Sequence, residues 1–347
     1  MALADGAATI NYGELVPRLE QEIDWLGTTG AERYALLADN GVRWALADLA
    51  LHLGGRLCVP LPASFTPAQM THALDDAGID ALLTDDVASA RALLPGWRVH
   101  GNAPGSWLTL LRRTLDPFGN VPIPRRCAKI TYTSGSTASP KGVCLSSEHL
   151  ENVAAALAAA TLKLDIEKHL CVLPLATLLE NVAGLYAPLL AGATCTLPGA
   201  ADTGMSYAGF DARKLLATLT RHAPNSLILV PELLQVLVEA SEHGWHAPAS
   251  LRFIAVGGAA VSPALLQRAE QARLPVYEGY GLSECASVVC LNTPQARRPG
   301  TVGRPLGSAR VRIDATGQVC VAGSAMLGYL GDPPRNASDE IQTGDRG

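Results

Sequence analysis

The residues of this 347-residue chain that could do chemistry concentrate in Ile130-Thr-Tyr-Thr-Ser-Gly-Ser-Thr-Ala-Ser-Pro-Lys-Gly-Val143. Its five consecutive small residues, Thr133, Ser134, Gly135, Ser136 and Thr137, offer hydroxyls and backbone N–H groups able to surround a polyphosphate. Gly135 removes side-chain obstruction and Lys141 adds a positive charge. A Walker A loop runs Gly-x-x-x-x-Gly-Lys-Ser/Thr, whereas here Gly135 is followed by five residues and then Lys141-Gly142, which argues against an ordinary P-loop ATPase or kinase. A second polar group is Tyr277-Glu-Gly-Tyr-Gly-Leu-Ser-Glu284. Within it, Gly281-Leu-Ser-Glu-Cys285 nearly spells the hydrolase nucleophile elbow but lacks the second glycine. Two shorter signals, Ala255-Val-Gly-Gly-Ala-Ala-Val261 and Gln342-Thr-Gly-Asp345, read on their own as tight turns.

The elements that must position these groups alternate. Tyr12 to Leu26 has apolar residues at helical spacing, Tyr34 to Ala38 reads as a strand, Val42 to Leu53 as a helix and Leu57 to Leu61 as a strand. Thr66, Pro67 and Gln69 form a capping-box pattern that opens another helix before the strand Ala81 to Thr84. Residues 98–126, with Pro104, Pro117, Pro122, Pro124 and the pair Arg125-Arg126, read as an irregular connection. A second series follows, with strands 128–133, 169–173, 193–196, 226–230, 252–256 and 275–277 and helices 147–161, 178–190, 211–221, 232–242 and 263–272. From Gly300 the pattern changes to short strands at 309–313 and 318–321. The alternation predicts an α/β fold, a mainly parallel sheet with helices on its faces. Its expected divisions are an α/β part over 1–125, a second α/β part over 126–299 that carries the small-residue run, and a β-rich part over 300–347.

Composition closes off several classes. Hydrophobic residues are 48% and charged residues 17%, which excludes a disordered or fibrous chain. A net charge of −5 gives no reason to expect nucleic acid or an anionic membrane as partner. The eight cysteines contain no CxxC pair and read as reduced, mostly buried thiols, and acids stand where a signal peptide would carry Lys or Arg, so a cytoplasmic location is expected. Between His169 and Ala201 only Glu180 is charged, but Pro174, Gly184, Pro188, Gly192 and Pro198 interrupt the run, which reads as buried core and not a membrane span. Glu180 is expected to be a structural acceptor or the partner of an Arg, and His149 and His169 to be packing or surface residues. No His/Cys cluster shows metal-ligand spacing.

The fourteen-residue string resembles the phosphate-binding signature of the adenylate-forming superfamily, which includes acyl-CoA synthetases, peptide-synthetase adenylation domains and firefly-type luciferases. Thr133 to Thr137 and Pro140-Lys-Gly142 stand where that pattern has them, with Ala138 in place of a usual Gly. The other three signals follow in the family's order. The resemblance implies that Tyr280 lines adenine, Ser283 meets the α-phosphate and Glu284, with Thr133, holds Mg²⁺. It places Gly257, Gly258 and Ala259 near adenine and the acyl group, includes Glu278, Gly279 and Gly281 in the nucleotide site, and has Asp345 accept the ribose hydroxyls. Lys141, Ser283 and Glu284 are the expected catalytic residues. A carboxylate oxygen suits a hard cation and an aromatic face suits a purine.

The implied fold is the multilayer αβαβα large domain of adenylate-forming enzymes, with a β-rich subdomain near the C-terminal end. The implied activity is ATP- and Mg²⁺-dependent conversion of a carboxylic acid to an acyl-adenylate, followed by thioester formation with CoA or the phosphopantetheine of a carrier protein. Relatives continue past the TGD motif into a small mobile domain that carries a catalytic lysine. The chain is expected to be the large domain alone and to be weakly active. Leu173-Pro-Leu-Ala-Thr-Leu-Leu-Glu180 is similar to fatty-acyl ligases, although Thr177 stands where many have His. Leu179 occupies the place of the carboxylate that holds an amino group in amino-acid-activating relatives, so a fatty or aryl acid is expected. An amino-acid adenylation module and a non-catalytic nucleotide binder are the alternatives.

Overall fold

Two helices of the N-terminal part begin by the same chemistry. Thr66 Oγ accepts the Gln69 backbone N–H at 3.3 Å while Gln69 Oε1 accepts that of Thr66 at 2.9 Å, and Pro67 presets the first turn of the helix Pro67–Asp76. Asn11 and Glu14 form the equivalent pair, at 2.9 and 3.1 Å, before the helix Tyr12–Thr28. The computed structural model describes residues 1–114, 121–133, 140–206, 209–336 and 339–347. It divides into one unit of Ile10–His149 with Met326–Ala337 and another of Met1–Thr9, Leu150–Ala325 and Ser338–Gly347.

In the first unit the sheet order is Gly328–Tyr329, Lys141–Ser146, Cys127–Thr133, Leu57–Pro60, Arg33–Leu37, Ala81–Thr84, Thr109–Arg112 and Arg98–Asn102. The central pairings from Cys127–Thr133 to Ala81–Thr84 are parallel and the outer ones antiparallel. Ala35, Val59, Leu74, Leu82, Ile130 and Cys144 lie in one buried cluster. Part of the stretch read as irregular is ordered: Arg98–Asn102 pairs with Thr109–Arg112. The order comes from Glu22, wholly buried, whose carboxylate accepts Gly105 N at 2.7 Å, Ser106 N at 3.1 Å and Ser106 Oγ at 2.6 Å. Residues 83 and 84 positions away in sequence supply those donors, so no local pattern could announce the hairpin.

In the second unit the sheet runs Arg304–Pro305, Ser287–Leu291, Val276–Leu282, Phe253–Val256, Ser226–Leu229, Lys168–Leu170, Thr194–Thr196 and Leu3–Ala4. Pairing is parallel from Val276–Leu282 to Leu3–Ala4 and antiparallel on the other side. Leu170, Leu227, Leu229, Leu234, Ile254 and Val276 belong to its buried core. Removing such apolar area from water contributes about 25 cal/mol per Å². A three-stranded antiparallel sheet, Arg310–Ile313, Gln318–Ala322 and Ile341–Arg346, forms the expected β-rich element. The strands Cys127–Thr133 and Lys141–Ser146 complete the N-terminal sheet, and the β-rich strands group with residues 150–325.

Both units bury charge. Lys129 Nζ lies 2.6 Å from Asp48 Oδ1 with the two side chains 1% and 0% exposed. Glu180 opens a π-helical turn, Glu180–Tyr186, where helix was expected, and accepts Leu173 N at 3.2 Å. The group facing it is not an Arg but His169, whose Nε2 stands 3.4 Å from Glu180 Oε1 and whose Nδ1 is 2.8 Å from Ser226 Oγ. A Cβ at Gly184 would collide with the same carboxylate, so this turn admits Glu180 only because residue 184 has none. His169 is buried, which removes the surface alternative. His149 is half-buried, and burial pushes its imidazole down to about 4.

Lys129→Met removes the ammonium that faces Asp48 and is expected to cost about 3–5 kcal/mol in urea unfolding, with the Asp48→Leu/Lys129→Met pair recovering most of it. A loss in the double variant equal to the sum of the losses in Lys129→Met and Asp48→Leu alone would show that the two charges are not coupled. Desolvation pushes the Glu180 carboxyl above the ordinary carboxylate range. The folded chain thus holds that proton more tightly than the unfolded one, a contribution complete below the ordinary Glu range and lost as pH rises through the raised value. Glu180→Gln should flatten the fall in melting temperature from acidic to neutral pH, and an unchanged slope would contradict the raised carboxyl.

Candidate functional site

The parallel strands Phe253–Val256 and Val276–Leu282 bring the two glycine-containing signals side by side, with Val256 opposite Glu278. Gly257 N donates to Leu229 O at 3.1 Å, and a Cβ at Gly257 would stand 3.4 Å from Gly279 O. Gly258 has φ +82°, in the left-handed region open to glycine. Ala259 is exposed beside it.

After Leu282 the chain turns through the 3₁₀ segment Ser283–Cys285 and returns as Ser287–Leu291, antiparallel to the strand it left. The return is so close that a Cβ at Gly281 would overlap Ser287 O. Ala286 and Ser287 take φ +55° and +102°, costly values for residues with a Cβ. This hairpin holds Ser283 and Glu284, both half-buried, on its turn. The missing second glycine of the hydrolase elbow has a structural counterpart: Ser283 sits between two antiparallel strands, not on a strand-to-helix turn.

Tyr280 and Asp345 are 65 residues apart, yet Tyr280 OH donates to Asp345 Oδ2 at 2.7 Å. Burial raises the Tyr280 phenol well above its ordinary value, which keeps the donor protonated. Asp345 is exposed in the strand Ile341–Arg346, so the TGD signal is a bulged strand end and not the turn that its sequence suggests. Glu278 has another partner: its Oε2 accepts Gly300 N at 3.0 Å, and burial raises its carboxyl. It anchors the loop that follows Asn292, whose own N donates to Glu278 O at 2.9 Å.

In the other unit, Thr133 ends its strand directly opposite Lys141 in antiparallel register. Ser134, Gly135, Ser136, Thr137 and Ala138 lie outside the described residues. Lys141 Nζ is 5.3 Å from the ring centroid of Tyr329, a cation–π contact. Gly142 is required because a Cβ there would meet Ile130 Cγ2 at 2.9 Å and Tyr132 Cζ at 3.2 Å. Tyr329, in the short strand Gly328–Tyr329 that pairs with Lys141–Ser146, has no part in the sequence-based expectations.

Among the described residues, one group of side chains has metal-ligand proximity, His169, Cys171 and Glu180, with ligand atoms within 4.8 Å of one another. Sequence spacing did not show it, because Glu180 comes from a different element. Cys171 Sγ donates to Gly184 O at 3.2 Å, so these buried groups already hydrogen-bond to one another and to the backbone. They read as a core network. For a hard cation on phosphate, the half-buried carboxylate of Glu284 and the neighbouring hydroxyl of Ser283 have suitable chemistry.

The chain is 29% identical over 339 residues to a 3-[(3aS,4S,7aS)-7a-methyl-1,5-dioxo-octahydro-1H-inden-4-yl]propanoyl:CoA ligase of Mycobacterium tuberculosis, covering 90% of this chain and 65% of that protein. It is 28% identical over 331 residues to an oxalate–CoA ligase of Arabidopsis thaliana, covering 87% of this chain and 63% of that protein. The chain thus spans under two thirds of the length of both. The fold is similar to that of the anthranilate CoA ligase AuaEII with anthranoyl-AMP, at TM-score 0.77, 20% identity, 95% of this chain and 67% of that one. It is also similar to O-succinylbenzoate Coenzyme A synthetase from Bacillus subtilis with ATP and magnesium, at TM-score 0.74, 22% identity, 99% of this chain and 73% of that one. The family model described as AMP-binding enzyme matches residues 1–330, and the chain therefore belongs to that family.

Proposed function

We propose that this chain binds ATP with Mg²⁺ and activates a carboxylic acid as its acyl-adenylate, the first half of an AMP-forming acid–thiol ligase reaction. The acid's carboxylate oxygen attacks the α-phosphorus, the bond to the β-phosphate bridging oxygen breaks, and pyrophosphate leaves. A thiol, that of CoA or of a carrier protein's phosphopantetheine, then takes the acyl group and releases AMP. The observation that carries this reading is the Tyr280–Asp345 hydrogen bond, which joins the aromatic signal to the TGD signal across 65 residues. In this reading Tyr280 offers adenine its face and Asp345 accepts from ribose. Gly257, Gly258, Ala259, Gly279 and Gly281 admit the nucleotide, with Glu278 holding the neighbouring loop. Ser283 meets the α-phosphate, while Thr133 to Thr137 and Lys141 neutralise the polyphosphate. Glu284, with Thr133, would hold Mg²⁺, which when bound supplies charge neutralisation for the leaving pyrophosphate.

A fatty or aryl acid suits the apolar, buried Leu173, Leu175, Ala176, Leu178 and Val182, and Leu179 offers no carboxylate to an amino group. The named relatives are ligases of organic acids with CoA, which supports CoA as the thiol. The eight cysteines are free, which fits a reducing compartment such as the cytoplasm. Among the described residues no helix is long and apolar enough to cross a membrane.

The test is a thermal-shift titration with non-hydrolysable acyl-adenylates carrying fatty, aryl or aminoacyl groups. A ligand at 100 times its dissociation constant adds about 2.7 kcal/mol of stability. A larger shift for fatty or aryl adenylates than for AMP is expected, and no shift for any adenylate or AMP would overturn the reading. Asp345→Ala should weaken AMP binding about tenfold to a hundredfold through loss of charged hydrogen bonds while leaving the melting temperature without ligand unchanged. Undiminished affinity would remove Asp345 from the ribose. Glu284→Gln should lower ATP affinity with Mg²⁺ present and change it little with a chelator, so an equal loss in both conditions would contradict the cation role.

A further inference from the structure

We infer that the Tyr280 hydroxyl is a positioning group for Asp345, holding the carboxylate that reads ribose and thereby coupling sugar recognition to the aromatic face beside it. The inference rests on the nucleotide reading above and adds a role that ring stacking does not require. A phenylalanine would supply the same face. What the tyrosine adds is one oxygen, which also meets the Thr343 hydroxyl and whose proton goes to Asp345 Oδ2 at 2.7 Å.

Asp345 needs such a partner because of where it stands. It is exposed, in an edge strand, directly after Gly344, whose φ is +82°. An exposed Asp samples several rotamers, and fixing one costs conformational entropy when ligand binds. Here the backbone and the side chain are held by separate bonds. Thr343 Oγ donates to Val319 O at 2.9 Å and accepts Asp345 N at 3.1 Å, which ties the backbone at residue 345 to the strand Gln318–Ala322. Tyr280, on Val276–Leu282 of the larger sheet of the same unit, ties the carboxylate. A carboxylate has about four acceptor sites, so one bond from Tyr280 orients the group and leaves acceptor capacity for vicinal hydroxyls. Tyr280 itself is set by its strand, where it pairs with Cys290 just before the bulge at Gly281. The aromatic face and the sugar acceptor are thus placed relative to each other before a nucleotide arrives, and binding pays less ordering cost.

The experiment compares binding of AMP and of dideoxyadenosine monophosphate, which lacks the sugar hydroxyls, to the wild-type chain and to Tyr280→Phe, Asp345→Ala and the double variant. Tyr280→Phe keeps the ring. It is expected to lower AMP affinity about threefold to tenfold, the effect of one hydrogen bond, while changing dideoxyadenosine monophosphate affinity little. In the Asp345→Ala background it should change neither. Equal losses for both nucleotides, or the same loss with and without Asp345, would mean that Tyr280 acts through its ring or its packing alone and would overturn the positioning role. If Asp345→Ala and the dideoxy nucleotide both leave wild-type affinity intact, the ribose assignment fails first and the coupling falls with it.

Discussion

Much of the candidate site depends on one steric constraint, the absence of a side chain at Gly281. The sheet of the second unit is parallel up to Val276–Leu282 and then reverses, because the chain folds back as Ser287–Leu291. That return brings Ser287 O into the space where residue 281 would carry a Cβ. With glycine there the hairpin closes, the strain of positive φ at Ala286 and Ser287 is held by the pairing around it, and Ser283 and Glu284 are left on the turn. With any other residue the two strands would have to separate, and the pairing Gly281↔Val288 that sets the register would be lost. A glycine in a strand usually weakens it; this one is the condition for the strand pair to exist.

The buried polar groups show the second organising rule, that charge enters these cores only with partners. Glu22, Lys129 with Asp48, and Glu180 with His169 each sit among apolar side chains and each is hydrogen-bonded. Desolvation favours neutral forms, and the raised Glu180 carboxyl reflects it. Glu22 repays its burial by ordering a loop, since Gly105 and Ser106 donate three bonds to it. These groups do mechanical work in the fold, whereas the groups proposed to meet the nucleotide, Tyr280, Ser283, Glu284 and Asp345, all keep some exposure.

What could be read beforehand followed from locality. Helices with apolar periodicity were legible, Val42–Leu53 and Ser147–Thr161 matching the expected limits, and the Thr66–Gln69 box forms as written. So were the parallel strands with continuous apolar runs, such as Ala81–Thr84 and Ser226–Leu229. The misses share a cause. The hairpin Arg98–Asn102 with Thr109–Arg112 depends on Glu22, and the strand Lys141–Ser146 depends on the register Thr133↔Lys141 across a polar run that masked its pattern. The four ordered signals identified the family, but the contact between Tyr280 and Asp345 and the one between Lys141 and Tyr329 required three dimensions. The buried trio His169, Cys171 and Glu180 was hidden for the same reason, since strand and π-turn contribute to it from different elements.

The Thr-Gly-Asp signal illustrates how a short, weak motif gains meaning from its geometry. Each residue has a separate task. Thr343 Oγ fastens the segment to Val319 O, which neither a turn nor an ordinary strand residue would need to do. Gly344 takes φ +82° and produces the register shift opposite Gln318–Cys320, so that the strand Ile341–Arg346 is bulged where the motif lies. Asp345, displaced by that bulge, bonds to Tyr280 of another strand. Alanine at 344 would meet no neighbour within 4 Å, so the demand for glycine there is conformational and not steric, the opposite of Gly281. Two glycines of one candidate site are therefore required for different physical reasons. One permits a close approach of backbones, and the other permits the backbone angle that takes Asp345 out of the ladder and toward Tyr280.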